Sequence, residues 1–134
     1  MPSHSSATWD RLRRLPVLVE SYRLEPLELR LPSGWVRRTT TVQLFGDGLR
    51  GRGEDVTYDG REQQRFQERG AHLALAGQYD LASFSDRLDE LDLCPQLVGE
   101  PACERYRRWA FESAALDLAL RQAMDEAELE DVLT

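Results

Sequence analysis

The 134-residue chain carries 17 arginines, no lysine and 24 acidic residues, a formal net charge of −7 at pH 7, so neither a Schiff-base lysine nor a lysine general base exists in it. Its length suits one domain around one core, and no run reaches the ~20 apolar residues of a membrane span. The charge is uneven: residues 1–67 hold 11 arginines against 9 acids, residues 68–134 hold 6 against 15, and the acidic half argues against a nucleic-acid surface.

Residues 1–14 read as a flexible, solvated N-terminal tail bearing Arg11, Arg13 and Arg14. They lack the apolar centre of a secretory signal, so the expected setting is cytoplasmic. From Pro16 to Arg30, Val17/Val19 and Leu27/Leu29/Leu31 alternate with mostly polar neighbours, the pattern of a half-buried strand. Pro26 bends that strand or places it at a sheet edge. Leu31-Pro32-Ser33-Gly34 is a turn, and a second strand follows over Trp35–Phe45. Gly46-Asp47-Gly48 reads as a hairpin turn into a third strand, Leu49–Val56, whose glycines let another backbone or a ligand approach closely.

The second half reads as helical. Asp59 caps a helix that Gly70 ends, and residues 71–79 form a short apolar connection. A second helix spans 80–92, with Ser83 as its cap and Asp86 at capping-box spacing. Pro95 and Pro101 bracket a loop before a long helix from about Ala102 to Ala123. Phe111, Ala114, Ala115 and Leu118 form one stripe of that helix, while Trp109, Leu116 and Leu120 lie on its other faces. A helix so nearly apolar all round needs cover on more than one side. Cys94 and Cys103 have no metal-site spacing and are expected as reduced, partly buried thiols. The whole reads as an α+β fold, a three-stranded antiparallel meander followed by a helical bundle.

Two stretches carry a family resemblance. Thr39-Thr-Thr-Val-Gln-Leu-Phe-Gly-Asp-Gly-Leu-Arg-Gly-Arg-Gly-Glu-Asp55 resembles the second and third strands of the N-terminal capping domain of the enolase superfamily. Arg108-Trp-Ala-Phe-Glu-Ser-Ala-Ala-Leu-Asp-Leu-Ala-Leu-Arg121 resembles its last capping-domain helix. The likeness spans roughly Val17 to Ala123 and looks closest to the muconate-lactonizing and o-succinylbenzoate-synthase-like branch. It implies a capping domain over residues 15–134, belonging to a Mg²⁺-dependent lyase or isomerase that abstracts a proton next to a carboxylate. The catalytic bases and the acidic metal ligands would lie in a barrel that this chain lacks, leaving it alone inactive and without a cofactor of its own. The implied partners are that barrel and a small carboxylate substrate, with no nucleic acid and no membrane.

The resemblance also places two lid loops, near 29–38 and 54–59. In them Leu31 and Trp35 would contact an apolar part of a substrate, Arg37 or Arg38 a carboxylate, and Tyr58 would offer a hydroxyl. The plainer alternative stays open, in which Leu31 and Trp35 pack within the meander and the arginines are solvated. Glu54 and Asp55 point to opposite faces of a strand and should not share a ligand, which leaves Glu54 a structural hydrogen-bonding role. Arg108/Glu112 and Asp117/Arg121 have the spacing of helical ion pairs, Asp117 reads as a helix-packing acid, and His72 as a core or surface histidine. Two further readings compete with the cap: a free-standing, self-associating α+β binding module, a homo-oligomer without catalysis, and, well behind, a small carboxylate hydrolase.

Overall fold

The computed structural model describes residues 7–95 and 101–123. Within the stretch expected as a flexible tail, Ala7–Leu12 forms a short helix, α1, and Leu12 and Leu15 pack against the core. The single strand expected after Pro16 is two. β1 (Pro16–Val19) and β2 (Ser21–Arg30) separate at Glu20, whose N–H donates to the Phe45 carbonyl and whose carboxylate accepts from Asp47 N. β2 joins β3 (Val36–Gly46) and β4 (Leu49–Asp55) in an antiparallel sheet of order β2-β3-β4, the expected meander. The β3–β4 turn needs positive φ at both central residues, and Asp47 (54°) and Gly48 (75°) supply it.

β1 leaves that sheet and pairs with β5 (Gly77–Asp80), a strand in the stretch read as an apolar connection. The two segments lie about sixty residues apart, and four residues are too few to show a strand period. α2 (Gly60–Arg69) has the expected ends: Asp59 accepts from Arg61 N and Glu62 N, and Gly70 closes it at φ 65°. α3 (Leu81–Asp89) is capped by Asp80, not Ser83. Ser83 is instead the third helical residue and answers the cap, its Oγ accepting from Asp80 N while Asp80 accepts from Ser83 N.

α4 (Pro101–Ala123) is the long helix, and it lies across the inner face of the sheet. Its close approach explains the glycines of β4. A Cβ on Gly53 would meet the Ala110 carbonyl oxygen at 2.0 Å, and one on Gly51 the Ala114 oxygen at 2.2 Å. The approaching backbone is therefore α4's own. α3 and β1 cover other sides of the helix. The core fills the space between, with Val42 and Leu44 from β3, Phe66, Phe84, and Phe111 of α4 wedged edge-on between Tyr22 and Phe66.

Three of the four free sheet margins, those of β1, β2 and β4, are closed in part. Arg52 N donates away from β3, to the Asp117 carboxylate at 3.0 Å. By the alternation of an antiparallel ladder, Gln43 opposite Arg52 then bonds to Arg23, which turns the backbone groups of Tyr22, Leu24 and Pro26 outward. Pro26 thus sits mid-strand on the side where no N–H is needed, the edge position expected for it. On the small sheet, the Gln122 side-chain amide pairs with both backbone groups of Leu18, accepting its N–H at 2.9 Å and donating to its carbonyl at 2.8 Å.

The cysteines depart from expectation. Cys94 and Cys103 form a disulfide with Cα atoms 6.4 Å apart, tying the segment after α3 to the first turns of α4. Their spacing alone did not reveal the pairing.

Candidate functional site

One end of the outer sheet face gathers residues from two loops. The turn at 31–35 is held by Leu31 N donating to the Trp35 carbonyl and Gly34 N donating to that of Leu31. The other loop follows β4 at Val56–Asp59. Trp35 stacks on Tyr58 with ring centroids 5.4 Å apart, and the Arg37 guanidinium lies 5.2 Å from the centre of the same Tyr58 ring. Arg37 braces the two loops: Nη2 donates to the Val56 carbonyl at 2.6 Å, and Nη1 to the carbonyls of Thr57 and Arg38 at 3.2 Å each.

The stack is not buried. Tyr58 is 70% exposed and Leu29, opposite Arg37 in register, 61%; Leu27, Trp35 and Val56 are exposed beside them. Apolar side chains clustered around a charged one mark an interaction surface rather than a core. Of the five residues expected in the site, the structure brings Trp35, Arg37 and Tyr58 together. Leu31 is half-buried and shapes the turn through its backbone. Arg38 points to the other face of β3 and pairs with Glu28 at 3.1 Å.

The Tyr58 loop is fixed from below by a buried charged network that sequence reasoning missed. Arg107 of α4 is fully buried; its Nε donates to Asp55 at 2.8 Å and its Nη1 to Glu62 at 2.7 Å and to the Leu93 carbonyl at 3.0 Å. Its guanidinium also lies 3.7 Å from the centre of the Phe66 ring. The second Asp55 oxygen accepts from Thr57 N and Thr57 Oγ1, at 3.0 and 2.6 Å. Gln63 Nε2 reaches the carbonyls of Asp55 and Thr57, both at 3.0 Å. Thr57 is therefore anchored inside while Tyr58, the next residue, faces solvent. Glu54, on the opposite side of the strand, accepts from Thr39 Oγ1 at 3.1 Å, the structural role expected for it.

The arrangement is an exposed aromatic stack braced by one arginine. Among the described residues no group of three His, Cys, Asp or Glu side chains is placed to hold a metal ion. The nearest buried acids among the described residues, Asp55 and Glu62, face Arg107, so this site does not fit Mg²⁺. His72 is exposed. Arg108–Glu112 and Asp117–Arg121 form the expected ion pairs, at 3.4 and 2.9 Å.

A second surface lies on the helical side. Trp9, Leu12, Phe84, Trp109 and Leu116 are among the residues lining a mostly apolar cavity of about 330 Å³, and Trp109 is 52% exposed. Leu120 is half-buried. Among the described residues no helix is long and apolar enough to cross a membrane. No curated protein and no solved structure matches the chain. Residues 10–132, nearly the whole of it, match one family, and the chain belongs to that family, described as Domain of unknown function (DUF8230) N-terminal domain.

Proposed function

We propose that this chain is the substrate-capping domain of an enolase-type enzyme. In this reading it closes over a small carboxylate substrate held in a separate barrel domain of the same protein, where Mg²⁺-dependent proton abstraction next to the carboxylate would occur. The observation that carries the reading is the meeting of the 31–35 turn and the 56–58 loop in one braced, exposed aromatic surface. Such a surface supplies what a lid needs. Trp35 and Tyr58 exclude water from a reacting centre, and a braced loop loses little freedom on closing. Arg37 uses three N–H donors on backbone carbonyls, and a guanidinium has five, which leaves two for a carboxylate.

Two facts support the reading without depending on the lid. The matched family is described as an N-terminal domain, which implies a further domain in its members. The Trp9/Trp109 groove on the helical side offers that domain an apolar docking face. The cytoplasmic setting belongs to the same proposal. The test is the reading frame beyond Thr134. About 200–250 further codons of repeated strand–helix units, with acidic residues at strand ends, support a cap. A stop codon directly after Thr134 overturns it. The same apolar groove favours the second reading, a self-associating binding module, and a dimer that persists on dilution would then identify it.

A further inference from the structure

The Cys94–Cys103 disulfide stands at the far end of a continuous chain of contacts that ends at Tyr58. Leu93, next to Cys94, gives its carbonyl to Arg107, and Arg107 lies one helical turn after Cys103. Arg107 holds Asp55, Asp55 holds the N–H and hydroxyl of Thr57, and Thr57 precedes Tyr58. Every side chain along that path up to Thr57 is buried. The disulfide keeps the Leu93–Cys94 segment against α4, and with it the one backbone acceptor of the Arg107 guanidinium.

We propose that this disulfide is a redox latch on the Tyr58 loop; as a regulatory device it rests on the lid reading given above. When the buried Leu93–Cys94 segment opens to solvent, a dithiol reductant delivers two electrons and two protons: the S–S bond breaks, two thiols form, and the dithiol becomes a disulfide. Leu93 and Cys94 are then held to α4 only by packing and the Arg107–Leu93 hydrogen bond. Nη2 of Arg107 has no hydrogen-bond partner among the described residues, so losing the Leu93 carbonyl leaves one Nη1 N–H of the buried guanidinium unpaired as well. Arg107 gains by shifting toward water, and its grip on Asp55 loosens. Thr57 then loses the anchor of its N–H while Gln63 and Arg37 still hold its carbonyl. The loop is freed on one side and kept on the other, so the lid loosens without unfolding. In a reducing compartment, disulfides of mesophilic proteins are mostly transient, catalytic or redox-sensing, in keeping with a latch.

Hydrogen exchange read by mass spectrometry on the intact chain, oxidised and then reduced with excess dithiothreitol, tests the latch, with free thiols counted to prove reduction. The expected result is exchange about tenfold faster in residues 55–60 of the reduced protein, with residues 77–80 of β5 unchanged. Cys94→Ser/Cys103→Ser should match the reduced protein under both conditions. Unchanged exchange at 55–60 with both thiols free overturns the latch. So does a uniform acceleration throughout the chain, which would mark the disulfide as a general staple. If the double variant does not fold, the dithiothreitol comparison decides alone. Failure of the lid reading shows separately, in the reading frame, and leaves this measurement intact.

Discussion

Asp55, Glu62 and Arg107 occupy positions that the surrounding pattern reserves for apolar side chains. Arg107 falls on the Cys103–Phe111 stripe of α4, Glu62 one turn before Phe66, and Asp55 in alternation with Gly51 and Gly53. Each offence against the pattern was visible in the sequence, but the run Arg105-Tyr106-Arg107-Arg108 hid which arginine turns inward. Removing Arg107 leaves the buried Asp55 carboxylate without its cation, while Glu62 keeps Arg65 and Arg69, and Arg107→Met should cost about 3–5 kcal/mol in urea unfolding. Neutralising all three together, Asp55→Asn/Glu62→Gln/Arg107→Met, should recover much of that loss, since the cost lies in unpaired buried charge. Asp80 acts at the surface. The Ser83 N–H bonded to it is the chief cause of a carboxyl pKa below the ordinary 3.8. Its folded value is thus lower than its unfolded one, so its contribution is complete above the unfolded value and is lost as pH falls through the folded one. Asp80→Asn should flatten the fall in melting temperature between about pH 5 and about pH 2, read from thermal unfolding of both proteins.

Elements with strong local punctuation were legible, and those made by distant pairing were not. Asp59 and Gly70 mark α2, the Gly46–Gly48 turn fixes β3 against β4, and the apolar circumference of α4 shows its length. Nothing local marks the break at Glu20, because β1 is drawn away by β5 from the far side of the chain. The cap of α3 was misplaced because Ser83 and Asp86 have the right spacing, while Asp80 and Ser83, with the same spacing, make the bonds. At this scale the tightest joint is α4 on β4. Gly53→Ala sets a methyl against the Ala110 carbonyl and forces helix and strand apart. It should cost roughly 3 kcal/mol in chemical denaturation, where Gly34→Ala, with open space around it, acts only through its positive φ.

The described residues carry two unlike exposed surfaces, the aromatic end of the sheet and the Trp9/Trp109 groove on the helical side. The sequence located the first through loops it could place, and the second only as excess apolar surface on α4. Under the capping proposal the chain should sediment as a monomer at low micromolar concentration and associate only as concentration rises, the check being sedimentation equilibrium over a dilution series. A third structural feature bears on how such a chain survives its own synthesis. Asp117 takes the outward N–H of β4 and Gln122 takes both groups of Leu18 on β1, and both side chains belong to α4. Until that helix docks, two strand margins stand open to any neighbouring chain, with only Pro26 blunting the third. The nascent protein is therefore most prone to sticking just before its long helix arrives, and the helix that completes the core also narrows that exposure.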